Sequence, residues 1–195
     1  MTPEATTMPG SVARSSFHGR VRELRQVVGA LSSPPSLVVI EGEAGSGKSR
    51  LILEALGDTA LQGRPVLVGN CTAVGEPTPL EPVAAALRGL AAVELTGELS
   101  PVCGVLRPIL PELAHLLPET SVPEGDPPAL RRLVHRAVRE LLRMAGDVVL
   151  VLEDLHRADR QTLDVLAKLV GDTPSRLSVV ASHRRSEERR VGKEC

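Results

Sequence analysis

Apolar residues in this chain occur in two kinds of run. Four runs are short and nearly continuous: SLVVIEG at 36–42, PVLVGNC at 65–71, DVVLVLED at 147–154 and RLSVVASH at 176–183. Aliphatic, β-branched stretches of that length, bounded by Pro, Gly or Asp, predict buried strands. Between them the apolar positions recur at helical spacing, in RLILEAL (50–56), LEPVAAALRGL (80–90) and QTLDVLAKLVG (161–171). The clearest helix runs from Leu130 to Met144: Leu130, Leu133, Val134, Ala137, Val138 and Leu141 share one side and the arginines the other. Strands without polar alternation, interleaved with helices, predict an α/β fold, a parallel sheet of about four strands with helices on both faces. VGEPTP (74–79) reads as a loop. Seven prolines crowd 100–128, leaving room there for irregular structure and short helices, LRPILPELAHLL foremost.

Composition narrows the setting. A chain of 195 residues, 42% hydrophobic, can bury one sizeable core, which favours one domain or one domain plus a fragment. A net charge of −1 gives no global attraction to nucleic acid or anionic lipid. Cys71, Cys103 and Cys195 are odd in number and widely spaced, which predicts neither a disulfide framework nor a zinc site and fits a reducing cytoplasm. Residues 1–16 lack the apolar core of a signal peptide and are expected to be disordered, and the aliphatic runs are too short to span a bilayer. Phe17 is the only aromatic residue, so stacking platforms for the bases of single-stranded nucleic acid are missing.

The first strand leads into chemistry. GEAGSGKS, residues 42–49, satisfies GxxxxGK[ST] and lies between a predicted strand and a predicted helix. In such a loop Gly42, Glu43, Ala44, Gly45, Ser46 and Gly47 turn their backbone N–H groups toward phosphates, helped by the positive end of the following helix. Lys48 would reach the β and γ oxygens and Ser49 would ligate Mg²⁺, which makes ATP with Mg²⁺ the expected ligand. The loop also needs an acid at the end of another strand, and VVLVLED supplies Glu153 and Asp154. Glu153 would support the metal and Asp154 would orient or activate the attacking water, so Lys48, Glu153 and Asp154 form the expected catalytic set. The alternative is a pair of solvated acids where a strand leaves the sheet. His156 reads as a capping or packing residue, and Asp159 equally as a helix N-cap or a functional group. Arg184 stands at the carboxyl edge of the sheet either as a γ-phosphate sensor or as a solvated strand end.

Five segments combine these features: FHGRVREL (17–24), GEAGSGKSRL, PTPLEPVAAALRGL, VVLVLEDLHRAD and SVVASHR. Together they resemble the ATPase module of the AAA+/STAND class, the origin-recognition-like AAA domain of large LuxR-type transcriptional regulators and related signalling proteins. The resemblance covers roughly residues 17–184. It implies that Gly19 and Arg20 lie near the adenine and that Arg184 senses the γ-phosphate. Glu153 stands where Asp is common in that family, and Arg157 where Trp is common. Residues 185–195, RSEERRVGKEC, resemble the translation of a sequencing adapter rather than a natural tail. On that reading the fifth strand and helical lid of the family are missing, the P-loop strand lies at an open edge, and ATP binding is weakened.

The function these readings imply is an ATP-binding, slowly hydrolysing switch within a multidomain signalling or transcriptional regulator. Its expected partners are ATP, further domains of the same polypeptide, and other copies through ATP-dependent self-association; the resemblance assigns DNA binding to a separate C-terminal module, so no direct nucleic-acid binding by this chain is expected. Two alternatives stand beside it. One is a P-loop phosphotransferase acting on a small molecule, for which Arg131, Arg132, Arg136, Arg139 and Arg143 supply charge, although at the spacing of a solvated helix face. The other is a non-functional fragment.

Overall fold

The computed structural model describes residues 19–71, 78–120 and 126–185. The expectations for residues 1–16, Phe17, most of the 74–79 loop and the tail from residue 186, Cys195 included, lie outside the described residues. Four strands, β1 (Ser36–Gly42), β2 (Val66–Asn70), β3 (Val148–Glu153) and β4 (Leu177–Arg184), form one parallel sheet in the order β1-β4-β3-β2. They match the four predicted runs to within a residue or two at each end. Five α-helices accompany them: α1 (Val21–Leu31), α2 (Lys48–Leu56), α3 (Glu81–Arg88), α4 (Pro127–Met144) and α5 (Arg160–Gly171).

The near-continuous apolar strands have a physical reason, because both faces of the sheet are covered. Val149 and Val151 of β3, with Val180 of β4, pack under α1 and α2 against Val27, Leu31, Leu51 and Ile52. The alternate residues Val148, Leu150 and Leu152, with Val179 and Ala181, pack on the other face under α3, α4 and α5. β1 is an edge strand. Its Leu37 and Val39, in register with Val179 and Ala181, remain 42% and 57% exposed.

Three elements depart from the sequence expectation. Helix α1 was not predicted, although Leu24, Val27, Val28 and Leu31 stand at helical spacing and join the core of the α1–α2 face. Helix α4 begins at Pro127 rather than Leu130: Asp126 caps it by accepting from the Ala129 N–H at 2.9 Å, and Pro127 and Pro128 occupy the first turn, where a missing N–H costs little. The predicted 80–90 helix is α3 followed by a 3₁₀ turn at Gly89–Ala92, where a Cβ on Gly89 would lie 2.9 Å from the Leu67 side chain. Within the proline-rich stretch, 3₁₀ turns at Pro101–Leu106 and Pro111–Leu113 pack Cys103, Leu106 and Leu113 into the core. Glu140 of α4 holds this stretch by accepting from the Ser100 N–H at 2.6 Å and the Ser100 hydroxyl at 2.7 Å.

The amino ends of the strands share one buried guanidinium. Arg64 lies 2.7 Å from Asp147 and donates to the carbonyl of Leu31, to that of Val148 and, at 3.0 Å, to Ser178 Oγ. It ties the end of α1 to the starts of β3 and β4, leaving the carboxyl ends of the strands to carry the loops described next.

Candidate functional site

β1 ends at Gly42 and α2 starts at Lys48, so residues 42–49 turn directly from sheet edge to helix. The turn requires its glycines. Gly45 and Gly47 have φ of +70° and +85°, a region that costs side-chain-bearing residues about 1–2 kcal/mol. A Cβ on Gly42 would lie 2.7 Å from Ser46 Oγ. Ser46 Oγ is itself buried without a hydrogen-bond partner among the described residues. The Lys48 side chain, only 9% exposed, folds back over the loop, and its Nζ donates to the carbonyls of Gly42 at 3.0 Å and Glu43 at 2.9 Å.

Glu153 is the last residue of β3, two strands away from β1 across the sheet. Its Oε2 nevertheless accepts a hydrogen bond from the hydroxyl of Ser49, which joins the two halves of the predicted constellation. Asp154 follows in the left-handed region, at φ +58°, and its N–H donates to Ser182 Oγ of β4 at 2.9 Å. A non-glycine residue in that conformation carries strain, which the surrounding structure must hold and which concentrates at functional positions.

A cleft of about 390 Å³ opens over the P-loop. Ala44, Gly45, Gly47, Lys48 and Ser49 line it on one side, and Asp154 and Arg184 on the other. The sequence expectation missed three further lining residues, Arg50, His156 and Arg157. Arg50 could have been found from its place directly after the GKS motif, and Arg157 from its standing where the related modules carry Trp. His156 lies 3.8 Å from Asp154 and edge-on to His183, with ring centroids 6.1 Å apart. Burial holds its imidazole below the ordinary value; Asp154 pulls the other way, while Arg157, His183 and Arg184 add to the lowering.

Asp159 caps α5, its Oδ1 accepting from the N–H groups of Gln161 and Thr162 at 2.9 and 3.0 Å, in keeping with the capping reading. Gly19 and Arg20 stand at the start of α1 and are not among the residues lining the cleft.

The donor set fits a phosphate chain and a hard cation. A loop held open by two glycines at positive φ, a lysine ammonium over it, and a hydroxyl paired with a carboxylate are the groups such a ligand requires. Among the described residues no cluster of three or more His, Cys, Asp or Glu is placed to hold a metal. None of the described helices is long and apolar enough to cross a membrane.

A family model described as "AAA ATPase domain" matches residues 16–181. An uncharacterised protein of Rhizobium meliloti (strain 1021) is 27% identical over 159 residues, 72% of this chain. The chain spans only 15% of that relative's length. Among solved structures, a chain in "Structure of Drosophila ORC bound to DNA" is 14% identical with a TM-score of 0.48, over 85% of this chain and 78% of that one. A chain in "Structure of Drosophila ORC bound to GC-rich DNA and Cdc6" is 12% identical with a TM-score of 0.41, over 92% of this chain and 55% of that one.

Proposed function

This chain belongs to the AAA ATPase domain family and is a nucleotide-binding module, and on that premise we propose that it is an ATP-dependent switch acting inside a larger signalling or transcriptional regulator of the STAND, LuxR-type kind. The carrying observation is the hydrogen bond from Ser49 to Glu153, which brings the P-loop hydroxyl and the strand-end acid to one point.

In this reading the N–H groups of residues 43–48 bind the phosphates and Lys48 leaves its own loop carbonyls to pair with the β and γ oxygens. Ser49 and Glu153 would hold Mg²⁺, which when bound would neutralise phosphate charge. The Glu153 carboxylate reaches the Ser49 hydroxyl across β4. Asp154, whose carboxylate faces the cleft from a strained backbone, orients a water for slow hydrolysis. Arg184, in register with Gly42 at the other side of the loop, senses the γ-phosphate. Gly19 and Arg20, at the start of α1, approach the adenine in this reading. The chain's 15% share of a long relative supports a multidomain setting; a cytoplasmic location and ATP-driven self-association complete the reading. The tail from residue 185 is foreign on this account.

The small-molecule phosphotransferase reading gains no observation, since the α4 arginines do not line the cleft. The test is calorimetric titration of ATP with and without Mg²⁺ into wild type, Glu153→Gln and Asp154→Asn. Mg²⁺ tightens ATP binding to wild type and Asp154→Asn but not to Glu153→Gln. A metal effect that survives Glu153→Gln and vanishes in Asp154→Asn reverses the assignment.

A further inference from the structure

Leu80, Ile109, Leu130 and Val134 wall a cavity of about 170 Å³ where the starts of α3, α4 and α5 converge. Arg131 and His135, one turn apart on α4, and Gln161, in the first turn of α5, also line it. None of these residues belongs to the cleft over the P-loop. An apolar chamber of roughly 150 Å³ accepts a benzene-sized body, and apolar walls with a few convergent polar groups are the usual form of a small-molecule site.

The polar groups select the ligand's other end. Arg131 is a permanent cation with no ion pair among the described residues. Burial lowers the His135 pKa; Lys168 and Arg131 act in the same direction and Asp164 opposes them, so the imidazole is neutral at pH 7 and can offer an N–H. Gln161 adds an amide. A guanidinium with no ion pair among the described residues, beside neutral donors, suits a carboxylate, which it can meet with two parallel N–H bonds.

The cavity also touches the nucleotide side of the molecule through its wall. Leu80 sits at φ +65°, strained for a branched side chain, and its N–H donates to Asp159 Oδ2 at 3.3 Å. Asp159 lies in the same loop as Asp154, His156 and Arg157, and anchors α5 behind it. A body pressing on the Leu80 side chain therefore acts on a peptide tied to that loop.

We propose that this cavity binds a small amphipathic carboxylate, its apolar body in the chamber and its anionic end on Arg131, and that occupancy alters nucleotide affinity through the Leu80–Asp159 contact. The linkage rests on the nucleotide reading above; the site itself does not.

Benzoate is the probe, with benzyl alcohol as its uncharged counterpart, both followed by ligand-observed NMR. Benzoate binds wild type at least about tenfold more tightly than benzyl alcohol, and Arg131→Gln removes that preference while benzyl alcohol still binds. Val134→Phe fills the chamber and abolishes both; because Val134 is buried, circular dichroism accompanies it, and the exposed Arg131 variant carries the test if it misfolds. No benzoate signal up to about 10 mM, or equal benzoate affinity in Arg131→Gln, overturns the site. Saturating benzoate shifts Mg·ATP affinity by at least about fivefold, and an unchanged affinity overturns the linkage. A chain that binds benzoate with the Arg131 dependence but binds no ATP refutes the nucleotide reading and supports the site.

Discussion

Lys48 Nζ donates to the carbonyl oxygen of Glu43 at 2.9 Å, so the cation of the P-loop is held in place by the loop it serves. That cradle depends on backbone that only glycine adopts without strain. Gly47→Ala, at φ +85°, is expected to lower stability by about 1–2 kcal/mol in urea denaturation and to weaken ATP binding as well. A variant as stable as wild type would mean that the loop does not need this conformation.

A different glycine serves packing alone. A Cβ on Gly69 of β2 would lie 1.9 Å from the Pro82 carbonyl of α3, a contact that neither backbone can escape locally. Gly69→Ala should cost about 2–3 kcal/mol or more, measured by thermal or chemical denaturation. Gly171, where a Cβ meets nothing within 4 Å, is the control, and Gly171→Ala should leave stability unchanged or raise it by under about 1 kcal/mol.

Arg64→Leu should destabilise the chain by about 2–4 kcal/mol, since it removes the donor to the Leu31 and Val148 carbonyls and to Ser178 and takes from Asp147 its guanidinium at the base of the sheet. Equilibrium unfolding of Arg64→Leu and Arg64→Lys separates geometry from charge. Lysine should recover only part of the loss, because a point charge cannot reach all of the partners of a planar fork.

Stability should fall in acid through two identified carboxylates. Burial alone would raise Glu140, but its hydrogen bonds from Ser100, with the Arg143 charge, hold it below the ordinary value. Asp159 likewise ends below its ordinary value, burial being outweighed by the bonds from Thr162, Leu80 and Gln161. A carboxylate with a depressed folded pKa stabilises fully above its unfolded pKa, about 4, and loses that contribution as pH falls through the lower folded value. Unfolding free energy measured from pH 6 to pH 2.5 should therefore decline, and the decline should be shallower in Glu140→Gln and Asp159→Asn. Parallel slopes in wild type and both variants would contradict this.

Burial decided what was legible in the sequence. β3 and β4 announced themselves because both of their faces are covered, and the P-loop because its chemistry fixes residue type and spacing together. Pro127 and Pro128 misled, reading as breakers where they in fact start a helix behind Asp126. Helix α1 was obscured because its short apolar stripe begins inside a motif read for its chemistry. The partners of Arg64 lie 33, 84 and 114 residues away, and the strained backbone of Leu80 answers to Asp159, 79 residues on; no local pattern encodes such contacts.

The central claim, that Gly42–Ser49 binds the phosphates of ATP, is tested most directly by calorimetric titration of Mg·ATP into wild type and Lys48→Ala, with circular dichroism confirming that both are folded. Wild type should bind with an affinity at least about tenfold greater than the variant, the loss expected when a charge-assisted contact is removed. Equal affinities, or no detectable binding by folded wild type, would contradict it.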